Sequence, residues 1–158
     1  LDLDPSRNDN LKVTFHDSCN PARAMGIFEE PRYVLKSVCN NFYEMPENTI
    51  REQTFCCAGG AGLGTDENME MRLRGGLLRG NALKHVQEKY DVNRLTAMCA
   101  IDRATLTTIC EYWCPEADVS GITELVANAM IMKGEKKRTQ DLRLEPLPGC
   151  EDEEDDDV

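Results

Sequence analysis

The chain has 158 residues, 41 % of them hydrophobic, which suffices for one domain with a substantial core. Its formal net charge of −11 is concentrated at the end: Glu151 to Asp157 are seven consecutive acids, and the remainder carries only −4. That balance argues against a nucleic-acid binder, which needs a basic face. No apolar run is long enough for a membrane-spanning helix, so direct membrane insertion is not expected, and Leu1-Asp2-Leu3-Asp4 lacks both an initiator Met and the features of a secretory leader. This opening predicts a processed chain or a piece of a larger one.

Residues 1–10 are polar and read as a linker. Lys12 to His16 reads as a strand ended by the turn Asp17-Ser18-Cys19-Asn20-Pro21. Pro21 opens a short helix to about Met25, and Pro31 a second one through Val38. Phe42 to Met45 is a candidate second strand closed by Pro46. After a glycine-rich segment, Asp66 or Asn68 is placed to cap a helix whose later part shows Leu78, Ala82, Val86 and Tyr90 at four-residue intervals. Gly75, Gly76 and Gly80 lie inside it, and each costs roughly 1 kcal/mol in a helix interior, so a break or close packing is expected there. Leu95 to Ala100 reads as a buried strand, Asp102 to Trp113 as a helix stopped by Pro115, Val119 as the start of a further strand, and Thr123 to Met132 as a final amphipathic helix. This alternation predicts an α/β domain over 11–132, a small, mostly parallel sheet of three to four strands flanked by helices. The segment 133–158 reads as a charged, disordered tail.

The segment Cys56-Cys57-Ala58-Gly59-Gly60-Ala61-Gly62-Leu63-Gly64 carries the chemistry. Neighbouring cysteines rarely bond to each other, because the geometry of a disulfide is hard to reach across one peptide. Two thiolates in one small volume point to a metal or an iron–sulfur cluster, with glycines letting backbone N–H groups approach sulfur. Eight cysteines also permit a disulfide framework, but nothing points to secretion, and clustered cysteines in such chains more often bind metal. Ligands of parallel sheets gather at the carboxyl ends of the strands. Cys19 follows the first expected strand, Cys56-Cys57 the second, and Cys99 lies near the end of the third. These four cysteines are therefore expected to converge on one edge.

The order of Cys19, thirty-six intervening residues, Cys56-Cys57, forty-one intervening residues, and Cys99-Ala100-Ile101-Asp102 resembles the cysteine-rich domain named for its Cys-Cys-Gly motif. That domain occurs in heterodisulfide reductase subunits and in iron–sulfur subunits of glycolate oxidase and related complexes. Its pattern is a Cys, a Cys-Cys-Gly and a closing Cys-x-x-Cys. The segments His16 to Arg23, Glu30-Pro31-Arg32 and Glu44-Met45-Pro46 are similar to the family's flanking motifs, and the resemblance spans about residues 12 to 132. Asn68 to Gly76 is similar to the branch found in the membrane complex tied to dissimilatory sulfite reduction. Two positions depart from the pattern: Ala58 stands for the motif's glycine and Asp102 for its last cysteine. Asp102 either ligates iron through oxygen, donating less charge than a thiolate, or caps its helix.

The resemblance implies a non-cubane 4Fe–4S cluster held by Cys19, Cys56, Cys57 and Cys99, with Asp102 as a further candidate. It implies a heterodisulfide-reductase-type oxidoreductase subunit that passes electrons to a disulfide or trisulfide on a small cysteine-bearing sulfur carrier protein. Its expected partners are a membrane cytochrome b-type subunit and the other subunits of the complex, and its expected location is cytoplasmic, peripheral to the inner membrane. Two other readings stay open: an electron relay serving a flavin oxidase, and a zinc-bound or metal-free protein-binding module. His16 is a candidate proton donor to a leaving thiolate or a turn histidine bonding backbone. Arg23 is placed to steer an anionic thiol or to pair with Asp17. Cys39, Cys110 and Cys114 read as buried side chains, His85 as a surface residue, Met69, Met71 and Met98 as core, and Cys150 as an exposed thiol. The glycine run matches neither a phosphate-binding loop nor a dinucleotide fingerprint.

Overall fold

Three parallel strands in the order β1-β2-β3 form the centre of the computed structural model, which describes residues 1–60, 62 and 64–132. The strands are β1 (Val13–His16), β2 (Arg94–Ala97) and β3 (Asp118–Gly121). Four helices flank them: α1 (Glu29–Val38), α2 (Met69–Tyr90), α3 (Ala100–Trp113) and α4 (Ile122–Ala129). This is the α/β architecture expected from the alternation. The charged segment 133–158 and Cys150 lie outside the described residues.

Successive residues of a strand point to opposite faces, and β1 pairs with β2 in the register Thr14↔Leu95 and His16↔Ala97. Val13 and Phe15 therefore face one layer, where they pack with Leu35 and Val38 of α1 and Leu125 and Ala129 of α4. Leu95 and Ala97 face the other, with Leu83 and Val86 of α2 and Leu106 and Ile109 of α3. His16 shares this second face with Ala97. Helices on both sides bury every residue of β1, as parallel sheets require.

Residues 1–10 carry a one-turn 3-10 helix, Pro5–Asn8. The fully buried Asn8 amide donates to the carbonyls of Val38 and Leu125, tying this turn to α1 and α4. The Phe42–Met45 segment does not form the expected strand. It contributes one parallel bridge, Val13↔Phe42, because Glu44 leaves the sheet edge to meet Arg32, Nε to Oε1 at 2.6 Å, and Met45 turns in to Arg79. The Pro21 helix is a single π-helical turn, Asn20–Ala24.

The long helix α2 runs unbroken through its glycines because α3 lies against them. A Cβ on Gly76 would sit 2.3 Å from Ile109 Cδ1, and one on Gly80 2.9 Å from Trp113 Cβ. Its buried stripe is Arg72, Gly76, Arg79, Gly80, Leu83 and Val86, with Ala82 beside it. Of the four residues expected to face the core, Ala82 and Val86 do, whereas Leu78 and Tyr90 are exposed. A strict four-residue repeat drifts around a helix of 3.6 residues per turn, so it cannot stay on one face. Met71 is likewise exposed rather than in the core, and Met69 and Met98 are half-buried.

Candidate metal centre at the carboxyl edge of the sheet

β1 and β2 end side by side at His16↔Ala97. Cys19 follows the first of them as the residue that opens the π-helical turn, and Cys99 follows the second as the N-cap residue of α3. Cys19 is exposed and Cys99 half-buried. The loop carrying Cys56 and Cys57 approaches the same edge: the ligand atoms of Cys57, His16 and Asp102 lie within 4.8 Å of one another, and all three residues are buried. Cys56 is exposed, and its Sγ accepts the Ala58 N–H at 3.2 Å. All seven cysteines among the described residues are free thiols.

The loop is shaped by two small residues. Ala58, where the family pattern has glycine, adopts left-handed backbone at φ +58°, a region that costs an L residue about 1–2 kcal/mol. Gly59 has no room for a side chain, since a Cβ there would lie 2.6 Å from Thr105 Cγ2 on α3. The contact seats the cysteine pair against the first turns of α3. Arg23 holds the loop from the other side: its guanidinium donates to the carbonyls of Glu52 and Thr54. Its expected alternative partner, Asp17, is taken by Arg32, which donates to both carboxylate oxygens at 2.8 Å, while the Arg51 N–H adds a third bond.

Asp102 is not the helix cap. That position belongs to Cys99, and Asp102 sits three residues further into α3. It is 3 % exposed, and its Oδ2 has no hydrogen-bond partner, while His16 Nε2 lies 3.6 Å away. His16 Nδ1 is also unpartnered. Burial pushes the His16 imidazole well below its ordinary range, and the nearby Arg79 charge acts in the same direction, so it is neutral at physiological pH. Burial and then the Asp102 carboxylate push the Cys57 thiol up to about 12. A soft metal ion reverses that preference by binding the thiolate outright. Buried atoms without partners cost free energy unless something meets them. A thiol, an imidazole nitrogen and a carboxylate oxygen with spare lone pairs, on a chain that carries Cys19, Cys56 and Cys99 on the loops leading to the same edge, are donors of the kinds that fit an iron–sulfur cluster.

The remaining cysteines are packing residues. Cys39, Cys110 and Cys114 are buried, and burial pushes Cys110 up to about 12 and Cys39 up to about 11. The Cys114 thiol donates to the Gly80 carbonyl at 3.3 Å. His85 is exposed, as expected.

The fold and site define an α/β domain with a buried thiol, imidazole and carboxylate at the carboxyl edge of its sheet; of the four expected cysteines Cys57 belongs to that group, and Cys19, Cys56 and Cys99 do not. The chain matches the cysteine-rich domain family known as CCG over residues 13–102, and it belongs to that family. It is 50 % identical over 151 residues to the Hdr-like menaquinol oxidoreductase iron-sulfur subunit of Archaeoglobus profundus, and 51 % identical over 149 residues to iron-sulfur subunit 2 of the same name in Archaeoglobus fulgidus. These alignments cover 93 % and 92 % of this chain but 27 % of each relative, so the chain spans about a quarter of their length. Over 55 residues, 34 % of this chain and 13 % of the relative, it is 40 % identical to a subunit of the dihydromethanophenazine:CoB--CoM heterodisulfide reductase of Methanosarcina mazei. No solved structure matches.

The buried arginines are not legible in the sequence as site residues. Arg32 and Arg79 are among the largest fully buried side chains, whereas a sequence pattern assigns arginine to the solvent face. The signal available for Arg32 is its place in Glu30-Pro31-Arg32 beside the motif Glu44-Met45-Pro46. For Arg79, only its position on the glycine face of α2 could mark it.

Proposed function

We propose that this chain is the cluster-bearing electron-transfer domain of a heterodisulfide-reductase-like iron–sulfur subunit. Cys19, Cys56, Cys57 and Cys99 hold a 4Fe–4S cluster of the non-cubane kind, and Asp102 provides an oxygen donor in place of the motif's last cysteine. When bound, the cluster supplies one-electron steps for reducing a disulfide. The observation that carries the reading is the buried trio of Cys57, His16 and Asp102, within 4.8 Å of one another beside the ends of the two strands that lead to Cys19 and Cys99.

The chain's own groups have distinct tasks. Arg23 braces the cysteine loop through two backbone carbonyls. His16, neutral and with its Nε2 3.6 Å from Asp102 Oδ2, is the candidate proton donor to a departing thiolate. Exposed Cys19 and Cys56 leave the outer side of the site open to a substrate. That substrate is a disulfide or trisulfide on a small cysteine-bearing sulfur carrier protein of dissimilatory sulfur metabolism. Electrons arrive from a membrane cytochrome b-type subunit with the remaining subunits of the complex. The domain is placed in the cytoplasm, peripheral to the inner membrane through its complex; no described helix is long and apolar enough to cross a membrane. Support for the quinol side comes from the names of the Archaeoglobus relatives.

A second reading, a cluster that only relays electrons, draws support from 38 % identity over 60 residues to the EtfAB:quinone oxidoreductase of Syntrophomonas wolfei, across 38 % of this chain and 8 % of the relative. Metal analysis and electron paramagnetic resonance on anaerobically isolated protein test the first step: iron with a cluster signal is expected, and zinc without iron refutes both readings in favour of a structural zinc module. Adding a small disulfide to the oxidised cluster then separates the two. A changed signal supports disulfide chemistry, and an unchanged one favours the relay.

A further inference from the structure

Arg79 of α2 is 1 % exposed. Among the described residues, no carboxylate lies within ion-pair distance of it. Its guanidinium is held by uncharged acceptors: Met45 Sδ at 2.6 Å, the Thr49 carbonyl and Thr54 Oγ1 at 2.8 Å, and the Phe55 carbonyl at 3.5 Å. It lies 5.7 Å over the Phe55 ring, and its Nε has no acceptor. Arg32, equally buried, shows the ordinary arrangement, with the carboxylates of Asp17 and Glu44 on its fork. A buried cation without a paired anion is costly, so the position of Arg79 calls for negative charge nearby.

The groups that face it identify that charge. Asp17, Asp102, Cys57 and Cys56 act on the guanidinium electrostatically; Asp17 is already neutralised by Arg32, which leaves the buried Asp102 carboxylate and the two cysteines. The contacts to Thr54 and Phe55 fix the cation directly behind the backbone that leads into Cys56-Cys57. Burial brings its pKa down to about 10, which leaves it charged at neutral pH.

We propose that Arg79 is the fixed counter-charge of the cysteine site, a positioning residue that compensates the Asp102 carboxylate together with the Cys56 and Cys57 thiolates and stabilises the reduced state of the bound cluster. This rests on the cluster reading above. Reduction adds one electron and breaks no bond, so a cation held behind the ligands raises the reduction potential without touching the substrate. The field acts through a dry interior in which charges are poorly screened.

The test is an anaerobic dithionite titration of the iron-loaded full-length subunit, followed by electron paramagnetic resonance. Arg79→Gln removes the charge and keeps a donor; its midpoint is expected to fall by at least a tenfold change in the reduction equilibrium, about 59 mV for one electron. Arg79→Lys keeps the charge and is expected to retain more than half of the wild-type advantage. A smaller fall in Arg79→Gln, or an equal fall in both variants, overturns the proposal. Loss of iron from both variants overturns it too, since Arg79 is then a brace for the loop. Absence of iron from the wild type overturns the cluster reading itself, an outcome distinct from all of these.

Discussion

Gly75 and Gly76 are adjacent in α2, and the packing gives their replacement by alanine opposite signs. Gly75 is exposed, and a Cβ there would meet only the Ala58 Cβ at 3.5 Å, an ordinary contact. Gly75→Ala is therefore expected to stabilise by about 1 kcal/mol, the propensity difference in a helix interior. Gly76→Ala gains the same amount from the backbone. Its Cβ, however, lies 2.3 Å from Ile109 Cδ1 and 2.7 Å from Cγ1, and Ile109 is 2 % exposed. Overpacking of this kind costs about 1–3 kcal/mol, so the net change is a loss of about 1 kcal/mol. The two variants then differ by about 2 kcal/mol, or about 4–8 °C in melting temperature for a domain of this size. Thermal melts followed by circular dichroism, with all variants in the same cofactor state, measure the gap. In an Ile109→Ala background the penalty at Gly76 is expected to vanish, giving a coupling of about 1–3 kcal/mol. If Gly76→Ala melts at or above Gly75→Ala, the close approach of α2 and α3 is wrong. The seating of the cysteine loop against α3 then loses its basis.

Cys57→Ser is expected to abolish iron retention and Cys110→Ala to leave it intact, measured as iron per chain after anaerobic isolation; iron loss in the Cys110 variant refutes the ligand set. Arg32→Met strands the buried Asp17 carboxylate and is expected to cost about 3–5 kcal/mol in denaturant unfolding, with Arg32→Lys recovering only part because the two-pronged contact is lost. In the metal-free protein, His16 is held neutral with its pKa well below the usual 6.5, so the unfolded chain takes up a proton that the folded chain refuses. Stability therefore falls as pH drops below about 6.5, by up to about 1.4 kcal/mol per pH unit. Urea unfolding between pH 7 and 5 is expected to show this slope in the wild type and a shallower one in His16→Gln, and equal slopes refute the assignment.

Spacing and residue type alone determine a good part of this protein. The β-branched and aromatic run before Asp17, the apolar run ending near Cys99, and the helices between them follow from local preference, so the α/β alternation is legible. That Cys19 and Cys99 follow the ends of neighbouring parallel strands is legible too, whereas the group that actually closes up, Cys57 with His16 and Asp102, is not. Local pattern misleads at Phe42–Met45 because a strand needs a partner along its length, and Glu44 and Met45 are drawn away by arginines distant in sequence. It misleads on the α2 face because glycine and arginine carry no hydrophobic signal, and the requirement for both comes from α3 and from the cysteine loop. The role of Asp102 is also beyond local reading. In sequence it could cap a helix, but the fold gives the cap position to Cys99 and turns the unpartnered carboxylate oxygen of Asp102 toward His16. Local sequence sets which elements form. The chemistry of Cys56-Cys57 depends on what long-range packing places behind them, since burial and electrostatic fields are properties of the assembled interior.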